Sequence, residues 1–281
     1  MADRVTSRTR VIRVRGEHVQ RTRDTLAGEE PMEIRVNGEA VSVTMRTPGD
    51  DFALALGFCL TEGIVASHDD VASIRYCTGT DPDTGRNLFN VVEIVLHDRT
   101  PVPADLRRNV FTTSSCGICG TASIDAVRKR LEPVHHDDTQ ISTETLSGLP
   151  TQLREAQAVF EQTGGLHAAG LFDRFGELIV LREDVGRHNA VDKVVGWAAM
   201  EGRLPASGNV LMVSGRVAFE IAQKALYARI PVIAAVSAPS SLAVDLAEES
   251  GMTLLGFLRE GRMNIYTGAH RVVDDGGAVL G

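Results

Sequence analysis

Residues 210–249 read VLMVSGRVAFEIAQKALYARIPVIAAVSAPSSLAVDLAEE, and this stretch decides the fold. It predicts two apolar strands that alternate with two helices, at Val210–Val213, Val217–Arg229, Val232–Val236 and Ser241–Glu249. Strands that alternate with helices favour parallel pairing in an α/β layer. Both strand-to-helix turns carry serines, so we expect hydroxyl groups along one edge of the sheet.

The segments on either side extend this layer. Upstream, the pattern predicts a helix over Ser142–Gln162, a hairpin formed by Gly165–Phe172 and Glu177–Leu181, and a helix from about Arg187 to Met200. Downstream, two short strands are predicted at Leu254–Leu258 and Asn264–Tyr266. The pattern therefore predicts a mixed sheet for the C-terminal half, in which the first strands pair antiparallel and the later strands are parallel.

The N-terminal half has a different pattern. Asn37-Gly38 joins two alternating segments and is a strong hairpin signal, a helix follows from Pro48 to Glu62, and further strands are predicted at Val71–Tyr76 and Leu88–Leu96. Before them, Val11–Arg15 reads either as an edge strand or as part of a frayed basic tail. We therefore expect a basic segment, residues 1–30, a small α+β (ββαββ) domain, residues 31–110, and an α/β domain, residues 111–281.

Composition excludes several functional classes. The 281 residues carry 29 Lys and Arg against 37 Asp and Glu, a formal charge of −8, which argues against a nucleic-acid-binding protein. No apolar run approaches the roughly 20 residues of a membrane span, and the N-terminus lacks the apolar core of a signal peptide. We expect a cytoplasmic protein, in which thiols stay reduced.

Two of the four cysteines, Cys116 and Cys119, form a C-x-x-C in the segment FTTSSCGICGT, residues 111–121. A helix is predicted directly after them, and thiols at a helix start have a lowered pKa because the backbone N–H groups favour the thiolate. The pattern indicates a reactive sulfur site. Disulfide exchange, a zinc site completed by His135 and His136, and sulfur transfer all remain open.

Four polar stretches in the C-terminal half indicate a ligand crevice. They are EDVGRHNAVDK (183–193), VSGR (213–216), VSAPSS (236–241) and FLREGR (257–262). The first puts charged and amide groups at a strand-to-helix junction, which is typical of a crevice, although a well-capped helix with salt bridges is the alternative. The second motif is either an anion-binding turn or an ordinary strand-to-helix turn. The fourth places arginines in a tight hairpin, which either binds a diphosphate or is a solvent-exposed turn.

Together the motifs TTSSCGICG, EDVGRHNAVDK, VSGR and FLREGRMNIY resemble the FdhD/NarQ family of formate dehydrogenase accessory sulfur carriers, in order, from about Glu30 to Thr267. The resemblance implies a homodimer that takes persulfide sulfur from a cysteine desulfurase. It also implies transfer of that sulfur to the molybdenum cofactor, in its bis(molybdopterin guanine dinucleotide) form, for formate dehydrogenase. It implies a cytidine-deaminase-like α/β/α sandwich with a mixed sheet for the C-terminal half.

The deaminase chemistry itself is not expected. Zinc deaminases place H-x-E or C-x-E and then P-C-x-x-C at the first turns of two helices, where this chain has GRHNAVD and SGRVAFE. No cysteine follows Cys119 in the sequence, so that zinc site cannot be built. We expect no structural metal.

The resemblance also assigns roles to individual residues. Cys116 corresponds to the persulfide cysteine, and Cys119 would accept sulfur, shield the persulfide or resolve it. The cofactor-binding run corresponds to Phe257, Leu258, Arg259, Glu260, Gly261 and Arg262. For the cofactor we further expect phosphate contacts from Ser214, Gly215 and Arg216 and polar contacts from Asp184, His188 and Asn189. A non-catalytic cofactor chaperone and a thiol–disulfide oxidoreductase are the alternatives.

Overall fold

The computed structural model of the chain describes residues 5–77, 79, 89–98, 132–259, 261–274 and 276–280. Its helices are α1 (Asp51–Thr61), α2 (Thr143–Ala156), α3 (Ala158–Thr163), α4 (Arg187–Met200), α5 (Phe219–Tyr227) and α6 (Ser241–Glu249). Its strands are β1 (Thr6–Arg15), β2 (His18–Ala27), β3 (Glu30–Val36), β4 (Glu39–Arg46), β5 (Val71–Tyr76), β6 (Val91–Leu96), β7 (Ile141–Ser142), β8 (His167–Asp173), β9 (Leu178–Asp184), β10 (Asn209–Val213), β11 (Val232–Ala235), β12 (Thr253–Arg259), β13 (Arg262–Thr267) and β14 (Val272–Val273). The predictions for Cys116, Cys119 and Glu260 lie outside the described residues.

A six-stranded sheet forms the centre of the C-terminal half, in the order β13-β12-β11-β10-β8-β9. The three strands β10, β11 and β12 are parallel, whereas β8, β9 and β13 pair antiparallel with their neighbours. Successive residues of β10 point to opposite faces. Leu211 joins an apolar cluster with α4, α5 and α6, and Met212 joins another with α2. The mixed sheet and the α/β class are confirmed, while the likeness to cytidine deaminases stays a prediction.

The predicted single helix over Ser142–Gln162 is wrong, because the chain forms α2 and α3 with a break at Gln157. Gln157 leaves the helical region of backbone space, with ψ at 77°. The carboxylate of Glu183 accepts hydrogen bonds from the backbone N–H groups of Val159 (2.9 Å) and Phe160 (2.8 Å). It thereby caps α3, a tertiary contact that no local pattern reveals.

The N-terminal unit has the predicted β-β-α-β-β order. Its four-stranded sheet runs β4-β3-β6-β5, and the predicted Asn37-Gly38 turn joins β3 to β4 with positive φ at both residues. Helix α1 covers one face with an apolar cluster that includes Cys59, a fully buried residue. Burial raises the pKa of the Cys59 thiol, so this cysteine belongs to the core. The domain boundaries themselves stay predictions.

Helix α1 joins this unit to the C-terminal half by crossing α4 at two glycines. A Cβ on Gly57 would lie 1.9 Å from the carbonyl oxygen of Asp192, and a Cβ on Gly196 would lie 1.9 Å from that of Ala53. Neither position can hold a side chain without moving a backbone. The glycines therefore let the two helices approach closely and fix their relative position.

The first strands form a separate hairpin. β1 pairs antiparallel with β2 from Thr6–Ala27 to Arg15–His18, so the predicted Val11–Arg15 strand is longer than expected and has a partner that the sequence did not indicate. Most β2 residues are polar, and none is fully buried, which explains why no apolar alternation marks the strand. Among the described residues, no helix is long and apolar enough to cross a membrane.

Candidate functional site

The carboxyl ends of β10, β11 and β12 open into a cavity of about 930 Å³. Ser214 follows β10, Val236 follows β11, and Leu258 and Arg259 end β12, so all three parallel strands contribute to its wall. Helices α2 and α3 and the start of β8 supply the opposite wall, with Leu153, Phe160 and His167 among the lining residues. Ligands bind at this edge in open α/β sheets.

The two strand-to-helix turns at this edge are bonded to each other. Val217 donates its backbone N–H to Ala238 (3.2 Å), and Ser240 donates to Val217 (2.8 Å). Because Val217 is held in this bridge, α5 begins at Phe219 and not at Val217 as we predicted. The Ser240 side chain caps α6 by accepting from the N–H of Ala243 at 3.3 Å, so this serine has a structural role at the second turn.

Ser214 connects the first strand-to-helix turn to strand β8 through two hydrogen bonds. Its hydroxyl oxygen accepts from the N–H of Ala168 at 2.9 Å, and its own N–H donates to the Ala168 carbonyl at 3.0 Å. The hydroxyl keeps its own proton available for a ligand. Gly215 leaves room for a neighbour, since a Cβ there would lie 3.3 Å from Nδ1 of His167. Arg216 is exposed.

The predicted cofactor-binding run forms the end of β12 and the start of β13. Arg259 and Arg262 are cross-strand partners, and both are exposed, with Gly261 in the turn between them. A bulge displaces the ladder at Phe257, a residue with φ of +54° that is 45% exposed. Leu258 is buried next to it. A bulky residue in the left-handed region is strained, and such strain is concentrated at functional sites.

Asp184 and Asn189 lie behind the cavity in a buried polar network. The Asp184 carboxylate forms an ion pair with Lys193 (2.8 Å) and accepts from the N–H groups of Thr47 (3.1 Å) and Gly186 (2.8 Å) and from Asn189 (2.9 Å). The Asn189 amide also donates to the Met45 carbonyl at 2.8 Å. These contacts join β4 to the β9–α4 junction. Both residues therefore have structural partners, and their contact with a cofactor stays a prediction.

His188, on the first turn of α4, is mostly buried. Its Nε2 atom lies 3.9 Å from Oε2 of Glu220 and has no hydrogen-bond partner among the described residues. Burial, together with the positive charges of Lys224 and Arg187, lowers the pKa of His188 to about 3. The imidazole is neutral at physiological pH.

A second buried ion pair lies deeper at the same helix. Asp192 Oδ1 contacts Lys224 Nζ at 2.8 Å, and the hydroxyl of Thr61 donates to the same oxygen at 2.9 Å. Burial raises the pKa of Asp192 more than the attraction of Lys224 lowers it, and the net pKa is about 6. Asp192 follows His188 by four residues and therefore lies on the same face of α4. In the structure this carboxylate connects α1, α4 and α5 and lies outside the cavity lining.

Of the described residues predicted to bind the cofactor, three line the cavity: Ser214, Leu258 and Arg259. The rest do not line it, namely Asp184, His188, Asn189, Gly215, Arg216, Phe257, Gly261 and Arg262. His167 lines it and was missed, because one histidine at the start of an apolar strand has no distinctive local pattern. Within the described ranges no three His, Cys, Asp or Glu residues cluster as a metal site requires.

Known proteins share this chain's sequence and fold. The profile of the FdhD/NarQ family matches residues 27–273. The sulfur carrier protein FdhD of Streptomyces avermitilis is 57% identical over 273 residues, 96% of each chain. That of Mycobacterium tuberculosis is 52% identical over 272 residues, 95% of this chain and 98% of the relative.

A solved structure is similar over nearly the same length. The crystal structure of a protein described as a formate dehydrogenase accessory protein from Desulfotalea psychrophila superposes with a TM-score of 0.75 at 23% identity. The match covers 96% of this chain and all of that one, and it supports the fold. The length of the family match and the identity to its sequences lead to one conclusion: the chain belongs to the FdhD/NarQ family.

Proposed function

We propose that this protein is a sulfur carrier that accepts persulfide sulfur on Cys116 and transfers it to the molybdenum cofactor in its bis(molybdopterin guanine dinucleotide) form. The observation that carries the proposal is the cavity at the carboxyl ends of β10, β11 and β12, which places Ser214 and Arg259 on one wall. The family's sulfur carriers and the accessory protein of similar fold support the same assignment.

The cavity fits a nucleotide portion of this substrate. Its volume of about 930 Å³ lies at the upper end of the roughly 300–1,000 Å³ of small-molecule pockets. The Ser214 hydroxyl and the Arg259 guanidinium supply donors of the kind that phosphate oxygens accept. Arg216 and Arg262 are exposed near this edge and add positive charge. We assign the phosphate groups to these four residues and the base to the aromatic side of the cavity at Phe160.

The sulfur chemistry belongs to the C-x-x-C. The Cys116 thiolate attacks the outer sulfur of the desulfurase persulfide, the sulfur–sulfur bond of that persulfide breaks, and the desulfurase thiolate leaves. The product on Cys116 is itself a persulfide, a strong nucleophile with a lower pKa than a thiol. Holding the acceptor in a cavity of the same protein makes the onward transfer effectively intramolecular.

The proposal names partners as well as a substrate. A cysteine desulfurase supplies the sulfur, formate dehydrogenase receives the activated cofactor, and the carrier works as a homodimer in the cytoplasm, where thiols stay reduced. Cys119 accepts the sulfur, shields it or releases it by forming a disulfide with Cys116. A non-catalytic chaperone would use the cavity without ever carrying a persulfide.

Calorimetry with GDP tests the cavity directly, because GDP contains the guanine nucleotide portion of the substrate. We expect the wild-type protein to bind GDP and Arg259→Ala to bind it about 10-fold more weakly, as loss of a charge-assisted contact requires. Arg174→Ala, an exposed arginine in the β8–β9 turn, is the matched control and should bind normally. Equal affinity for wild type and Arg259→Ala would contradict the assignment.

A further inference from the structure

His167 occupies a position on the cavity wall that two separate contacts fix. It is the first residue of β8 and pairs in register with Asp184 of β9. Its neighbour Ala168 is bonded through both backbone groups to Ser214, which holds the start of β8 against the Ser214-Gly215 turn. The imidazole therefore lies beside Gly215 and lines the cavity together with Ser214 and Arg259.

Arg187 follows Asp184, the register partner of His167, by three residues, lies close enough for its charge to act on His167, and is only partly exposed. In the described part of the chain, its buried Nε atom has no hydrogen-bond partner and no carboxylate forms an ion pair with its guanidinium. The nearby Asp184 is already paired with Lys193, and Glu220 faces His188. A partly buried guanidinium without a counter-ion is costly, since buried charges are normally paired.

The positive charge of Arg187 acts on both neighbouring imidazoles. It lowers the pKa of His167 after the larger effect of burial, and it contributes to the low pKa of His188. The Asp184 carboxylate acts on His167 in the opposite direction. The balance leaves a neutral His167 beside an uncompensated cation. This combination attracts an anion.

We propose that His167, on the cavity wall, and Arg187, beside this histidine, form an anion-binding subsite that contacts the phosphate groups of the bound ligand. This inference rests on the proposed function for the identity of the ligand, a guanine nucleotide. A phosphate oxygen provides the counter-ion that Arg187 lacks, and His167 donates a second hydrogen bond to the phosphate. The Ser214 hydroxyl and Arg259 lie on the same wall and complete the set of donors.

Binding in this subsite takes up a proton. Without ligand, the imidazole is neutral at neutral pH, because burial and the charge of Arg187 lower its pKa and outweigh the attraction of Asp184. A phosphate beside it favours the imidazolium and neutralises part of the Arg187 charge. The pKa of His167 therefore rises on binding. By linkage, the ligand binds more tightly at low pH and its affinity falls as the pH increases.

GDP is again the probe, and calorimetry in buffers of different ionisation enthalpy measures both affinity and proton uptake. We expect His167→Ala and Arg187→Ala to weaken GDP binding about 10-fold or more, and Arg174→Ala to leave it unchanged. His167→Gln keeps a hydrogen-bond donor and cannot titrate. Its affinity should stay within about 3-fold of the wild type at high pH, without the extra proton uptake. The phosphate of GDP titrates in every variant, so the difference from His167→Gln isolates the imidazole.

The outcomes separate the two proposals. Normal GDP binding by both alanine variants, or the same proton uptake in His167→Gln as in wild type, overturns the subsite and leaves the cavity assignment standing. Failure of the folded wild-type protein to bind GDP overturns the proposed cavity function and the subsite with it. If Arg187→Ala does not fold, Arg187→Lys replaces it. This variant loses the planar fork but keeps the charge, and we expect it to bind GDP at least about 3-fold more weakly.

Discussion

The carboxylate of Asp184 lies 2.8 Å from the ammonium group of Lys193, with both side chains almost completely buried. The Lys193 ammonium also donates to the Thr47 carbonyl at 2.9 Å, and Asp184 accepts from the Thr47 N–H. The end of β4 is thus bonded to the β9–α4 junction. The pair therefore joins the two halves of the molecule. It also fixes Asp184, whose register partner His167 lines the cavity.

Removing one member of this pair should destabilise the whole protein. We expect Lys193→Met to lower the free energy of unfolding by about 3–5 kcal/mol, because an uncompensated carboxylate stays buried. Urea denaturation measures the change. Arg154→Ala breaks the exposed Arg154–Glu161 pair and should cost less than about 1 kcal/mol. A loss below about 1 kcal/mol for Lys193→Met would contradict the structural role of the pair.

The crossing of α1 and α4 should not tolerate a methyl group. In Gly57→Ala the new Cβ would lie 1.9 Å from the Asp192 carbonyl oxygen, so the helices must separate, at a cost of about 2–3 kcal/mol. Gly148→Ala in α2 is the control. Its Cβ would meet only the Gln152 amide, at 3.9 Å, and helix propensity predicts a gain of about 0.5–1 kcal/mol. Equal melting temperatures for Gly57→Ala and Gly148→Ala would contradict the close approach of α1 and α4.

His188 should make the protein less stable in mild acid. Its pKa is lowered to about 3 in the folded protein by burial, against about 6.5 in the unfolded chain. Below about pH 6.5, His188 binds a proton in the unfolded chain but not in the folded protein. The free energy of unfolding therefore falls as the pH decreases toward the folded pKa. Above that range both states are neutral and the residue contributes nothing to the pH dependence.

The variant His188→Gln isolates this effect. Between about pH 7.5 and pH 5, the loss of unfolding free energy should be about 2 kcal/mol smaller in the variant than in the wild type. Asp192, whose pKa is raised to about 6, titrates in the opposite direction in both proteins and cancels in the comparison. Parallel pH profiles for the two proteins would contradict a buried neutral imidazole.

Phe257 should show a conflict between stability and binding. Its φ of +54° costs about 1–2 kcal/mol for a residue with a side chain, and the exposed ring offsets little of this cost. Phe257→Gly should therefore be about 1 kcal/mol more stable than Phe175→Gly, a change at another exposed phenylalanine. We also expect Phe257→Gly to bind GDP at least about 5-fold more weakly, because a flexible glycine in the bulge no longer holds the neighbouring Leu258 and Arg259, which line the cavity. Unchanged binding would remove Phe257 from the cofactor-binding run.

The sequence predicted those parts of the fold that local patterns encode. Asn37-Gly38 fixes one hairpin by its backbone preference, and the repeated strand-and-helix pattern after Val210 fixes the parallel centre of the sheet. The break at Gln157 and the second strand of the N-terminal hairpin were not predictable in this way. The first depends on Glu183, a distant residue that caps α3, and the second pairs a polar segment with little apolar alternation.

The candidate site was predictable in outline and less so in detail. The expectation of a crevice at the edge of the sheet follows from serines and arginines that end neighbouring strands, and Ser214 and Arg259 do meet there. Asp184 and Asn189 have the polar chemistry of ligand residues, and only three-dimensional contacts reveal that they bind β4. His167 is close to Ser214 only because β8 pairs antiparallel with β10, a partner more than 40 residues away.

The central claim is that Cys116 carries sulfur, and intact-mass measurement with peptide mapping tests it most directly. The protein is incubated with a cysteine desulfurase and cysteine, alongside Cys116→Ala and Cys119→Ala. We predict the mass of one added sulfur atom on the peptide that contains Cys116, abolished by Cys116→Ala and retained in Cys119→Ala, and removed by a thiol reductant. Absence of any added sulfur on the wild-type protein, or its loss in Cys119→Ala but not in Cys116→Ala, would contradict the account.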